Sequence, residues 1–256
     1  MIDGLALSVE AGEFVCIVGP SGCGKSTFLH MVGGFEPASE GDMLLHGKQI
    51  SKPAPDRGMM FQDYSLYPWL TVLENVCWPL EMQGVAKGDR LARGRQILET
   101  VNLKRFAGFY PGQLSGGMKQ RVALARLLAL DSEMMLMDEP FGALDAQTRE
   151  LLQEELQSVW LRTDARESAS GVLGNTGGQR KTALFVTHDI DEAIFLGTRL
   201  VVFTAYPGRV KADIRIPSDV DRGVNFRKSA EYHRIRNEVW DLLREEVLKV
   251  KQKEEA

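Results

Sequence analysis

Short apolar runs alternate along the chain with stretches in which apolar residues recur every three or four positions. The first pattern suits buried strands and the second amphipathic helices, so their alternation predicts an α/β fold built from strand–helix units. Phe14–Val18 reads as a buried strand. A Gly-rich turn follows, then a helix from about Lys25 that stops near Gly33 and Gly34. Met43–Leu45, Met59–Phe61, Met134–Met137, Ala183–Val186 and Leu200–Phe203 read as further strands. Arg90–Val101 reads as a helix, and a loop from Pro111 to Ser115 opens a long apolar helix through Leu130. Ala146–Trp160 carries Leu151, Leu152, Leu156 and Val159 on neighbouring turns. A last helix from about Ser229 to Val250 has an expected apolar face of Ile235, Val239, Leu242, Leu243 and Val247.

Composition adds limits. The chain has 256 residues, 44% hydrophobic and 26% charged, enough to bury a sizeable core in one large α/β domain or in a main domain with a small satellite. Its net charge is −4 and no long basic stretch is present, which argues against a nucleic-acid partner. The three cysteines, Cys16, Cys23 and Cys77, are odd in number and lack metal-ligand spacing, as expected of thiols in a reducing compartment. Met1 is followed by a mixed segment that does not read as a leader. No apolar run approaches the roughly 18 residues that span a bilayer, so work at a membrane would need another subunit to cross it. Residues Asp164–Gln179 are rich in Gly, Ser, Thr and Asn without periodicity and read as a flexible surface insertion. Deleting them is expected to leave activity nearly intact.

Chemistry enters at Gly19, Pro20, Ser21, Gly22, Cys23, Gly24, Lys25, Ser26 and Thr27, which fit G-x-x-x-x-G-K-[ST] between a strand and a helix. Glycines let successive backbone N–H groups turn toward one centre, and the helix start adds its positive dipole end. Lys25 supplies a cation for the β- and γ-phosphates and Ser26 a hydroxyl for Mg²⁺. Asp138 and Glu139 follow the strand Met134–Met137. A carboxylate at a strand end can reach a metal beside such a loop, which suits Asp138. Alternation along a strand points Glu139 elsewhere, free to orient or deprotonate a water. Two carboxylates with separate tasks argue for turnover and against mere binding.

Ser115, Gly116 and Gly117 form a second helix start suited to an anion, with Ser as N-cap and glycines that let the backbone come close to a ligand. Leu114–Arg121, LSGGMKQR, resembles the signature motif of the ATP-binding cassette (ABC) family. The rest of that family's set follows in order. Gln62 in MMFQD resembles its Q-loop, MDEP its strand-and-base motif, Ala143–Leu144–Asp145 its D-loop, and His188 in FVTHD its switch histidine. The resemblance runs from Ile2 to about Val247.

That resemblance implies a P-loop NTPase ABC ATPase fold with a RecA-like core, a small antiparallel β part and an α-helical signature subdomain over about residues 75–130. Residues 217–256 would form a C-terminal helical extension of the single domain. It implies ATP and Mg²⁺ as cofactors, with Ser26, Gln62 and Asp138 at the metal. It also implies a homodimer of cassettes in which Ser115 and Gly117 of one copy, with Asp145 nearby, meet the nucleotide held by the P-loop of the other. Gln62 would touch Mg²⁺ or the attacking water, and His188 the γ-phosphate. Permease subunits would be direct partners at the cytoplasmic side of the inner membrane, and a solute-binding protein an indirect one. The family has an aromatic residue upstream of Gly4 that stacks on adenine, whereas Phe14 is the only aromatic before Val15. Weaker ATP binding and an exposed sheet edge are therefore expected.

Asp63–Val76 carries Tyr64, Leu66, Tyr67 and Trp69, too apolar for a purely solvated loop. Core packing and a docking patch for a partner helix both account for it. PWLTVLENV and EVWDLLREEV look similar to importer cassettes for nitrate, sulfonates and taurine. A soluble cassette ATPase of DNA repair or translation is the alternative, although the long coiled-coil arms or tandem cassettes of that class are not visible.

Overall fold

The computed structural model describes residues 2–142, 144–162, 180–217 and 226–254. The expected insertion at 164–179 and Ala143 lie outside these residues. The chain forms two compact units. The first comprises Met1–Pro53, Met137–Glu139 and Thr182–Ala256; the second comprises Ala54–Leu136 and Pro140–Lys181.

In the first unit, β1 (Phe14–Val18) lies between β6 (Thr182–Val186) and β7 (Arg199–Phe203), parallel to both. Phe14 pairs with Ala183 and Val15 with Arg199, and all five residues of β1 are buried. A strand covered on both faces reads as a continuous apolar run, which is why FVCIV and LVVF were legible. β8 (Val210–Arg215) adds an antiparallel edge on β7. Its mixed composition, half turned to solvent, gave no apolar signal. The end of β5 (Met134–Asp138) lies beside β6, where Glu139 N donates to Val186 O at 2.9 Å. Three strands therefore deliver their carboxyl ends to one neighbourhood, the position where open α/β sheets hold ligands. A separate two-stranded antiparallel ribbon joins β2 (Leu44–Leu45) to β3 (Lys48–Gln49).

The second unit packs α2 (Val72–Met82), α3 (Lys87–Thr100) and α4 (Gly116–Leu130) together, with α4 also against β4 (Arg57–Met60). β4 thus begins and ends earlier than the expected Met59–Phe61. Periodicity alone does not mark helix α2, yet its start carries T-x-x-E. Thr71 accepts from Glu74 N while the Glu74 carboxylate accepts from Thr71 N at 2.7 Å. This capping box satisfies two donors that a helix end leaves open. In α5 (Ala146–Arg162), Leu152, Leu156, Val159 and Trp160 are buried. The expected apolar residue Leu151 is instead exposed.

Helix α7 (Ala230–Glu254) departs from its expected face in an informative way. Ile235 and Val239 are buried as expected, but Val247 is exposed and Glu246 is buried in its place. The Glu246 carboxylate accepts from Lys211 Nζ (2.8 Å), Lys249 Nζ (2.6 Å) and Ala205 N (2.9 Å). An inward charge thus replaces an inward apolar side chain where α7 meets the β7–β8 hairpin. Burial alone would raise the Glu246 pKa, but the two lysines and the Ala205 N–H bring it down from 4.5 to about 2. A carboxyl whose folded pKa is depressed contributes stability that is present above 4.5 and lost as pH falls toward about 2. Glu246→Gln is therefore expected to cost about 2 kcal/mol at neutral pH, shrinking to near zero by about pH 2. Urea denaturation at pH 7 and below pH 3 checks this. An equal loss at both values would show that charge is not the cause.

Candidate active site

The P-loop leaves β1 and enters α1 (Lys25–Gly33) through Gly24, which has φ 101° and offers no side-chain cap. The first intrahelical bond outside the helix's own run is Phe28 N to Gly24 O, at 2.8 Å. The preceding N–H groups of the first turn have no intrahelical acceptor and are directed out of the helix end, as anion binding requires. Lys25 is buried, and its ammonium donates to Gly19 O (2.8 Å) and Pro20 O (3.0 Å). The charge is thus held inside the loop by carbonyl dipoles. Cys23 is also buried, and burial pushes its thiol pKa up despite the neighbouring Lys25, so the nucleophilic thiolate is disfavoured.

Asp138 lies next to this helix start. Ser26 Oγ donates to Asp138 Oδ1 at 3.0 Å. Burial raises the Asp138 pKa, and the Ser26 hydrogen bond only partly opposes this. Two hard oxygens, one of them on an incompletely compensated buried carboxylate, suit a divalent cation. Among the described residues no group of three or more His, Cys, Asp or Glu could hold a metal alone.

Glu139 separates from Asp138 by a different means than strand alternation. It sits at φ 45°, in the left-handed region that disfavours non-glycine residues. The backbone turns out of β5 there, and the Glu139 carboxylate comes 3.2 Å from His188 Nδ1. His188 stands between β6 and α6 (Ile190–Leu196), with its ring more than half exposed. Asp189 caps α6 by accepting from Asp191 N (2.8 Å) and Glu192 N (3.1 Å). Thr187 Oγ1 donates to the buried Glu192 at 2.6 Å. The first unit thus brings Lys25, Ser26, Asp138, Glu139 and His188 together, from three strand ends far apart in sequence.

The second unit holds the remaining expected residues. Ser115 is the N-cap of α4, accepting from Met118 N at 3.3 Å. Gly117 lies so near α5 that a Cβ would come 2.8 Å from Thr148 Cγ2. A side chain there would require the Thr148 side chain to shift. Asp145 itself accepts from Thr148 N at 3.0 Å, and this bond lowers its pKa. Gln62 is exposed just beyond β4.

Residues 63–76 divide between the two readings open at sequence level. Val72 and Val76 are core, whereas Trp69 is 70% exposed. Tyr67 is half-buried between Trp69 and Trp78, with ring centroids 5.6 and 5.1 Å away. The side chain that builds this platform is Asn75, which sequence reasoning missed. Fully buried, it accepts from Tyr67 N (2.9 Å) and donates to Tyr67 O, Leu70 O and Thr71 O. A polar residue at a core-facing helical position was the available signal.

A protein-family model described as ABC transporter matches residues 2–142. The chain belongs to the ABC transporter family. An uncharacterised ABC transporter ATP-binding protein, MJ0412 of Methanocaldococcus jannaschii, is 45% identical over 97% of this chain and 86% of its own length. The nitrate import ATP-binding protein NrtD of Synechocystis is 39% identical over 95% and 88%. Among solved structures, the ATP-binding cassette MJ0796 as a post-hydrolysis dimer bound to ADP and Pi superposes with a TM-score of 0.69. That cassette is 33% identical over 85% of this chain and 91% of its own. The ABC chain is accordingly an ATP-binding cassette ATPase, with the expected α/β core, antiparallel ribbon and helices. No helix among its described residues is long and apolar enough to cross a membrane.

Proposed function

We propose that this ATPase is the energy-coupling subunit of an importer for a small anion of the nitrate, sulfonate or taurine type. It works as a pair of cassettes docked on a separate permease at the cytoplasmic face of the inner membrane. The observation that carries the reading is the convergence of Lys25, the Ser26–Asp138 pair and the Glu139–His188 pair at the carboxyl ends of β1, β5 and β6. The nitrate-import relative supports the cargo class.

ATP supplies the scissile phosphoryl bond, and Mg²⁺ the counter-charge on its oxygens. Lys25 and the N–H groups of residues 21–27 bind the phosphates. Ser26 and Asp138 would hold the metal, and Gln62 would touch the metal or the attacking water. Glu139 orients that water or takes its proton, and His188 places it against the γ-phosphate. Ser115, Gly116 and Gly117 bind the γ-phosphate held by the partner copy, with Asp145 beside them. Trp69 and Tyr67 are the platform for a permease helix, since exposed aromatic residues on a rigid support mark docking surfaces.

Purification of the tagged protein from its native membranes tests the assignment. Expected is a stoichiometric multi-span membrane protein, lost in Trp69→Ala, with ATPase activity stimulated by that partner. Retention on DNA or ribosomes in moderate salt, with no membrane partner, would replace this reading with the soluble cassette alternative.

A further inference from the structure

The turn that carries His188 is tied to the last helix of the chain. Asp191, three residues after His188, accepts from Tyr232 Oη (2.5 Å) and from Arg236 Nε (2.9 Å), both on α7. Tyr232 is buried and packs edge-on against Phe226, with ring centroids 5.5 Å apart and planes at 86°. Arg227, just ahead of α7, lies over the ring of Phe195 on α6 at 4.5 Å. These residues all fall outside the span matched by the family model, residues 2–142.

Several of the other polar bonds around His188 are local, although Thr187 N also donates to Ile17 O of β1 at 3.2 Å. Asp189 and Thr187 bond to Asp191 N, Glu192 N and the Glu192 carboxylate, all within five residues. Such bonds set the shape of the turn, but they move with it. Ile190, Ala193 and Ile194 anchor the buried side of α6. On its outer side the bonds from Tyr232 and Arg236 tie the turn to a separate, 25-residue helix. Burial and the adjacent Asp191 carboxylate raise the Tyr232 pKa, so the hydroxyl remains a donor. Placement matters here because a displacement of about 1 Å in a reacting group can cost on the order of 100-fold in rate.

We propose that Tyr232 and Arg236 are positioning residues for hydrolysis, holding His188 opposite Glu139 by clamping Asp191 to α7. This rests on the role given to His188 above. Neither residue is among those assigned above to the nucleotide. Their contribution therefore falls on the chemical step and not on ATP binding.

The test uses the full chain carrying Tyr232→Phe together with Arg236→Gln. Expected is a fall in kcat of about fivefold or more with KM for ATP within twofold of wild type. The chain has four histidines, and the His188 ring signal can be assigned by its loss in His188→Ala. In the double variant that signal should shift or broaden while that of His46 does not move. An unchanged kcat overturns the proposal. So does a fall in kcat with the His188 signal unmoved, or a parallel loss of ATP affinity and melting temperature, which marks a general structural role. If the double variant does not fold, Tyr232→Phe alone removes one oxygen and keeps the ring packing, and is read the same way. An active His188→Ala would instead refute the role of His188 itself, which separates failure of that assignment from failure of the clamp.

Discussion

Glu139→Gln is expected to bind ATP with near wild-type affinity and to release almost no phosphate. The substitution replaces one carboxylate oxygen by an NH2 group and keeps the side chain's size. The backbone at Glu139 is already held at φ 45°, so the change asks for no new conformation. What is lost is a group able to accept a proton from water, next to His188 at 3.2 Å. General-base catalysis contributes about 10²–10⁴-fold, so kcat should fall within that range. Binding should survive because the phosphate cradle is Lys25 and backbone N–H groups, none of which changes. Phosphate release under saturating ATP, beside a direct binding titration, checks both halves. A variant retaining more than a tenth of wild-type turnover would move the base elsewhere. A variant that lost binding as well would show that Glu139 shapes the cradle.

Lys25→Ala should have the complementary effect, losing binding with little loss of fold. The Lys25 ammonium bonds to Gly19 O and Pro20 O from a buried position, which places a positive charge inside the phosphate loop. Charge-assisted hydrogen bonds contribute about 1.5–3 kcal/mol each. With ATP bound, the same ammonium is proposed to donate to the β- and γ-phosphates, and losing two such bonds corresponds to a weakening of ATP binding by about 100-fold or more. The fold itself should lose no more than about 1 kcal/mol, because removing a buried ammonium offsets much of the two lost bonds. Calorimetric titration with ATP and a thermal melt without it separate the two effects. Near-normal affinity would mean that backbone N–H groups alone carry the phosphates. A collapsed melt would assign Lys25 a structural role.

Both expectations rest on residues that were legible before any coordinates. GPSGCGKST lies between an apolar run and a helix start because a phosphate loop needs both, and each leaves a local signal. Met134–Met137 was legible because buried parallel strands are uniformly apolar. Asn75, Glu246 and Tyr232 were not. Each is a polar group inside the fold whose partners are set by packing. Asn75 takes its acceptors from the loop just before its own helix, and Glu246 is held partly by Lys211, 35 positions away. Nothing in the local pattern names such partners, and a helical face read by hydrophobicity assigns Val247 inward when Glu246 is the buried residue.

By itself, then, the order of residues determined that the chain is an α/β nucleotide-binding cassette and which motifs it contains. Local backbone requirements such as glycine turns, caps and strand hydrophobicity are written in consecutive positions. Only the tertiary structure decided that Glu139 leaves its strand in a left-handed turn to meet His188, and that Asp191 is held from α7. Those outcomes depend on which distant surfaces pack together. Packing is a property of pairs of elements, to which no single stretch of chain carries the answer.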